Sequence, residues 1–509
     1  MDNSTISRWS DASSKRCAVK NTNGHPQITL PNGVPFEIHD EFFPVDWNME
    51  FSKDKAAARL WFRSLTYLPT VVTTQGDWLV TERVLADFLD FIEKGFLNPA
   101  VIRMPSLDHA LAIQIRVCCE LYLRAKSQEL QAKTIISLID KILPILLELA
   151  RKPRMRLNNN HGIMVSLALL QVAVFFPHLV PQVQAENDLV VTLEQLGTII
   201  DEDGLSYENT PTYQGLFVRL LQDFTELSSM DPRLVVASEK YSLILGRVST
   251  AYRRLLLPSG HVPPLGDGGL GREIDLLPLT GKFVSTDNGI YVNSNPDSYL
   301  SIICGARSAV HKQMDDTSFL LSHNEKLVVL DAGVYNYDPD NDIGAAIRTQ
   351  RGHSGLYFPK FDLEPLSFFN NGGSPRRVVA DMEYVESDGR DSIQCEYILD
   401  GFRARRTFNV LSPTSFSLID RCWAPDGSSG VSRFLLSDDM VLTFCNGLVE
   451  GSDNTNWIRI RVQPESKISI KRGVVSHSLK QRENCWVIEN PVNPGGRPSI
   501  IEIEVGSNL

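Results

Sequence analysis

The chain has 509 residues, 43% of them hydrophobic and 22% charged, a globular balance that excludes long disordered tracts and favours two large domains over a single core. A formal net charge of -11 excludes a broadly basic nucleic-acid-binding surface, although a local basic cleft can still receive an anionic ligand in an acidic protein. No run of about 18 apolar residues marks a membrane span.

The opening MDNSTISRWSDASSKR has no apolar stretch of the secretory kind. Cytoplasm is therefore the default location, with the periplasm or the exterior as the alternative if a leader precedes this sequence. Residues 1–45 are polar and rich in turn formers such as Asn21, Gly24, Pro31 and Gly33, and read as an irregular arm. From 46 onward the pattern is helical: AAARLWFRSLTYL, WLVTERVLADFLDFIEKG, LDHALAIQIRVCCELYLRAK and TIISLIDKILPILLELA carry apolar residues at spacings of three and four. Further helices are predicted over 162–176, 189–200, 213–227 and 234–257. A Gly- and Pro-rich stretch, PSGHVPPLGDGGLG at 258–271, ends this region. Beyond it GIYVNS, YLSIIC, TSFLLS, LVVLD, SIQCEYIL, TSFSLIDR, WIRIRV, KISIK, CWVIE and SIIEIEV alternate as short strands of an antiparallel sandwich. The eight cysteines show no CxxC spacing and read as buried thiols, not as a disulfide framework.

Four local signals bear on chemistry. Asn158-Asn159-Asn160-His161-Gly162 reads plainly as a helix cap, yet beside Arg154 and Arg156 it is also a donor-rich place for a carboxylate. The loop DGLSYENTPTY at 203–213 offers Tyr207 and Tyr213, either of which also suits a core aromatic. HKQMDDTSF at 311–319 leads into a strand and then LDAGVY, and RTQRGHS at 348–354 supplies a second histidine. Asp201-Glu202-Asp203 reads as a solvated loop rather than a hydrolase carboxylate pair, and GDGGLG as a turn rather than a phosphate loop. Arg403, Arg405 and Arg406, on one strand, read as surface charge, with a place in a polymer groove as the sharper alternative.

In their order along the chain, NNNHG, DGLSYENTPTY, GHVPPLGDGG, HKQMDDTSFLL, LVVLDAGVYNYD and RGHSG resemble the heparinase II/III-like polysaccharide lyases, relatives of alginate and oligoalginate lyases. The resemblance implies an N-terminal (α/α) toroid over 46–271 and a C-terminal antiparallel β-sandwich over 272–509. It also implies β-elimination on an acidic, uronate-containing polysaccharide or oligosaccharide, such as a glycosaminoglycan, alginate or exopolysaccharide. The carboxylate-neutralising role falls on Asn160 and His161, and the phenol on Tyr213, in preference to Tyr207. An assisting histidine falls on His311. Tyr213 is assigned as acid, or as acid and base both, with His311 or His161 as base according to the substrate epimer. Asn159, Arg156, Tyr207, Gln313 and Arg351 are expected to bind substrate.

No cofactor is implied for catalysis. Family members often hold a structural zinc or other divalent metal, and the matching positions here are Gln313, Asp331 and His353. Gln313 departs from the histidine expected there, and an amide oxygen is a poorer zinc ligand. Gln313 and Ser354 keep open a second function, a weakly active or non-catalytic glycan-binding protein of capsule or exopolysaccharide production. No nucleic-acid partner is expected, and oligomeric state has no signature in the sequence.

Overall fold

A computed structural model describes residues 17–508 apart from 23–24, 53–54, 98–105, 128–132, 309, 337–340, 362–377 and 464–466. The expectations for residues 1–16 and for Tyr337 and Asp338 lie outside the described residues. The chain forms two compact units, one running to Ile199 and including Arg219–Leu243, the other comprising Ile200–Val218 and Ile244 onward.

The first unit is helical, with α1 (Lys55–Arg63), α2 (Leu68–Gln75), α3 (Trp78–Glu93), α4 (Leu107–Ser127), α5 (Lys133–Ala150), α6 (Asn160–Phe175) and α7 (Gln182–Ile199). The helices α8 (Pro211–Ser229) and α9 (Val235–Leu255) each have one end in either unit. Helix α3 starts where Asp77 accepts a hydrogen bond from the Val80 N–H (2.9 Å), and it buries Val84, Leu85, Phe88 and Ile92 along one stripe. Apolar on nearly every side, α6 is a central element packed against α4 and α7. Among the described residues no helix is long and apolar enough to cross a membrane.

The expected irregular arm contains instead a three-stranded antiparallel sheet, Ala18–Thr22, His25–Thr29 and Pro35–Glu37. Its alternation explains the correction: Ile28 and Phe36 point inward, and the Phe36 ring meets Phe62 and Tyr67 edge-on at 5.4 and 5.1 Å.

The second unit contains an antiparallel β-sandwich. Among the described residues, its eight-stranded sheet runs, edge to edge, Val378–Ser387, Arg390–Leu399, Phe402–Ser412, Ser415–Trp423, Ser499–Ser507, Asn456–Gln463, Leu448–Ser452, Val441–Cys445. The other sheet runs Ser469–Val475, Glu483–Val492, Gly430–Ser437, Lys326–Val329, Ser318–His323, Ser298–Ile303, Ile290–Ser294, Gly281–Ser285, with Leu356–Tyr357 paired to Gly430–Ser437. Inward residues of both sheets form one core, in which Phe319 packs edge-on against Phe408, Phe416 and Phe434 at 5.6–6.1 Å.

Residues 200–218 and 244–271 fold with the sandwich rather than with the helices expected to own them. Leu205, Leu257 and Leu265 are buried in one cluster with Ile290, Val292 and Leu320, so apolar burial and not helical pattern decides where they belong.

Arg406, expected at the surface, is fully buried. Its guanidinium makes a bidentate pair with Asp420, 2.8 Å on each arm, and also donates to the carbonyls of Thr317 (3.2 Å) and Ser354 (3.3 Å). Removing one partner of such a pair strands the other charge. Arg406→Ala is therefore expected to lower the unfolding free energy by about 3–5 kcal/mol in a denaturant titration. A loss below about 1 kcal/mol would mean that the pair is solvated in the native protein.

Candidate functional site

The loop at 200–213 is held by its own side chains. A bridge joins Ile200 to Ser206, and the Gln214 amide accepts from the Ser206 N–H (2.9 Å) and donates to the Gly204 carbonyl (2.7 Å). Asn209 sits in the left-handed region (φ 54°), as asparagine does more readily than most residues, and its amide donates to the carbonyls of Ser308 (2.9 Å) and Val310 (2.7 Å). That clamp fixes the loop to the segment entering His311. Helix α8 then starts at Pro211, which puts Tyr213 in its first turn.

The GDGG turn closes the cluster from a third side. Gly266 has φ +57°, and a Cβ there would stand 3.1 Å from both the Asn209 and the His311 carbonyl oxygens, so glycine lets the turn pass this near without strain. Asp267 is thereby delivered beside His311.

His311 is the meeting point. Its ring stacks on the Tyr213 ring with centroids 3.7 Å apart and planes at 21°. Nδ1 lies 3.2 Å from Asp267 Oδ2, and Nε2 lies 3.4 Å from Glu208 Oε2. The other Asp267 oxygen accepts from Gln313 Nε2 (2.8 Å) and from Arg348 Nε (3.1 Å). Burial pushes the Asp267 carboxyl up, but the hydrogen bonds from His311 and Gln313 and the charge of Arg348 outweigh it and hold the group below the usual carboxylate range. His311 itself has φ 55°, a backbone state that costs roughly 1–3 kcal/mol in a residue other than glycine and persists only where its surroundings enforce it.

Next to this cluster lies a second buried group of charges. Lys312 pairs with Asp315 and, at 3.1 Å, with Asp316, all three side chains being buried. Burial alone would lower the Lys312 pKa, yet the two carboxylates keep it above its ordinary value. His353 Nδ1 lies 3.1 Å from both carboxylate oxygens of Asp331, and that carboxylate raises the His353 pKa against the effect of burial.

The metal implied by the family can be tested on these donors. Asp331 and His353 do meet. Gln313, the third position, turns its N–H toward Asp267 and the Gly333 carbonyl (3.1 Å), while its Oε1 and the His353 Nε2 are buried without a hydrogen-bond partner. Among the described residues no three or more His, Cys, Asp or Glu side chains are grouped to hold a metal ion. Asp331 is already engaged by His353, so the donor set falls short of the four ligands of a structural zinc.

The other expected residues belong to the first unit, save Tyr207 and Arg351. Asn159 caps α6 by accepting from the Gly162 N–H (2.9 Å), and Asn160, buried, begins that helix. Gly162 is required there because a Cβ would come within 1.9 Å of the Leu157 carbonyl oxygen. His161 stacks on His109 at 4.8 Å and places Nδ1 3.3 Å from Asp108. Burial raises the Asp108 carboxyl, but its bond and ion pair with His161 bring it below the ordinary range. Arg156, expected to bind substrate, is instead a structural cation, with a side chain 7% exposed whose guanidinium is engaged by Asp188, Ser166 and Thr192. In the second unit, Tyr207 lies under the Arg307 guanidinium (4.4 Å), and Arg351 is exposed in a short 3₁₀ turn.

Glu208 and Asp267 flank His311, and Arg348 holds Asp267; none of the three is among the site residues expected from the sequence. Glu208 lies inside the DGLSYENTPTY motif and Asp267 inside the GDGGLG turn, where the local sequence carries no mark of a histidine partner.

Residues 279–500 match the family model described as Heparinase II/III-like, C-terminal. Among solved structures, a heparinase III is 14% identical with a TM-score of 0.72, the match covering 100% of this chain and 85% of that one. A mutant heparan sulfate lyase from Pedobacter heparinus is 14% identical with a TM-score of 0.61, covering 100% and 84%. These likenesses establish the fold, a helical region followed by antiparallel sheets, and that order is consistent with the expected toroid and sandwich. No curated protein matches the chain in sequence.

Since the donors fall short of a zinc site, dialysis against a chelator is expected to leave the thermal unfolding midpoint unchanged. A stoichiometric metal found by elemental analysis, whose removal lowers that midpoint, would overturn this.

Proposed function

We propose that the protein is a polysaccharide lyase, because residues 279–500 match the family model described as Heparinase II/III-like, C-terminal, and the chain shares its fold with a heparinase III. It cleaves a uronate-containing polysaccharide or oligosaccharide by β-elimination and leaves an unsaturated uronate end. The observation that carries the reading is the stacking of Tyr213 on His311, two residues from distant parts of the sequence whose types suit proton transfer.

The chemistry asks for three tasks. The uronate carboxylate must be relieved of its charge so that the C5–H becomes acidic, since the electrons left on C5 spread into that group as an enolate forms. Amide and imidazole donors suit this task, and by the family resemblance it falls on Asn160 and His161. A base then takes the C5 proton, the electron pair forms the C4–C5 double bond, and the C4–O bond breaks. An acid delivers a proton to the departing oxygen. Tyr213 is the acid, and serves also as base where the epimer places both atoms on its side; otherwise His311 or His161 is the base. All three tasks fall to side chains of the protein, and no cofactor enters the scheme.

The test is to incubate the protein with glycosaminoglycan, alginate and bacterial exopolysaccharide and to follow the ultraviolet absorbance of the unsaturated product. Binding without that signal would replace the lyase reading with a glycan-binding one, and new reducing ends without it would indicate hydrolysis. Tyr213→Phe is expected to lower the elimination rate by roughly 10²-fold or more while leaving oligosaccharide binding within a few-fold. Full activity in this variant would move the acid role to Tyr207.

A further inference from the structure

We infer that Asp267 is a positioning residue, which fixes the proton of His311 on Nδ1 and holds the imidazole flat beneath the Tyr213 ring. The inference deepens the lyase reading and depends on it only for its kinetic consequence.

Three N–H donors converge on this one carboxylate: His311 Nδ1 at 3.2 Å, Gln313 Nε2 at 2.8 Å and Arg348 Nε at 3.1 Å. An ionised carboxylate accepts only, so His311 Nδ1 must carry a hydrogen to make its bond. The opposite nitrogen, Nε2, is then the one left to gain or lose a proton. It faces Glu208 Oε2 at 3.4 Å, so the imidazole has a carboxylate at each end and an aromatic ring on one face.

The approach of Asp267 is fixed by backbone as well as side chain. Its own N–H points at the His311 carbonyl (3.4 Å). On the other side, a Cβ at Gly268 would lie 2.6 Å from Thr210 Oγ1 and 2.9 Å from Thr212 Oγ1. The turn is thus wedged between the loop carrying Tyr213 and the segment carrying His311. A residue needed only to end a helical region has no reason to be packed there.

An asparagine at 267 has nearly the same shape but one acceptor oxygen, and its NH₂ would oppose one of the three donors. His311 would then lose its obligatory acceptor at Nδ1 and could place its hydrogen on Nε2, toward Glu208.

The experiment compares wild type and Asp267→Asn, both labelled with ¹⁵N-histidine, with His311→Gln used to identify the His311 signal. The wild type is expected to show the Nδ1–H form at His311 and the variant a shift toward Nε2–H, while the other histidine signals and the melting temperature stay in place. In turnover, kcat is expected to fall by about 10²-fold or more with KM within about threefold, as for other aspartates that set a histidine tautomer. An unchanged His311 signal, or a kcat within about twofold of wild type, would overturn the assignment. So would a general shift of all histidine signals with a loss of melting temperature, which would make Asp267 merely structural. If the tautomer shifts but wild type yields no unsaturated product, the assignment of Asp267 stands and the lyase reading falls.

Discussion

The hydrogen bond from His311 to Asp267 is the contact on which the cluster depends. Both residues lie in irregular chain, Asp267 in the turn that follows α9 and His311 between the strands Ser298–Ile303 and Ser318–His323. Irregular segments have no ladder of backbone bonds to fix them, so their positions are set by individual polar contacts. The Asn209 amide, the Gln214 amide and the Gly266 turn each restrain one of the three segments that meet, and the His311–Asp267 bond joins two of them directly. Tyr213 is placed by the first turn of α8.

Carboxylates face both histidines, His161 and His311, in a similar way. The cluster around His311 is rich in carboxylates, with Glu208 and Asp267 at its two nitrogens and Asp315 and Asp316 nearby in sequence. Such a set can orient an imidazole, while Arg348 and Lys312 offset part of its negative charge. In the first unit Asp108 faces His161 Nδ1 at 3.3 Å, as Asp267 faces His311 Nδ1 at 3.2 Å in the second.

Much of this was legible in the sequence. The long amphipathic helices α3 to α5 and the alternating strands of the sandwich carry periodicities that survive any tertiary context. Tyr213 and His311 were picked out by the resemblance of DGLSYENTPTY and HKQMDDTSFLL to the lyase motifs, since a tyrosine or a histidine taken alone suits a structural role as well. What escaped notice depends on partners distant in the chain. Arg406 reads as surface charge until Asp420, on the neighbouring strand, is placed opposite it in register. Arg156 reads as a free cation until Asp188 arrives from α7. Strands such as Gly430–Ser437 were passed over because Arg433 interrupts the apolar run, and its burial is tolerable only through Glu489 on the paired strand. The GDGG turn looked like punctuation, since nothing local says that an aspartate between glycines will find a histidine.

These buried pairs also tie the cluster to the core of the sandwich. His311 (φ 55°) and Thr317 (φ 68°) are both in the left-handed region, and they bracket the segment that contains Lys312, Asp315 and Asp316. Two strained residues so close together need rigid surroundings. The Lys312 ion pairs staple the segment to itself, while Arg406 reaches from the eight-stranded sheet to the Thr317 carbonyl and is itself locked by Asp420. The Arg406–Asp420 pair is thus joined through the Thr317 carbonyl to the segment that begins at His311. The surroundings of the imidazole have two layers: Tyr213, Asp267 and Glu208 touch the ring, and the ion pairs of the sandwich hold the segment that carries it.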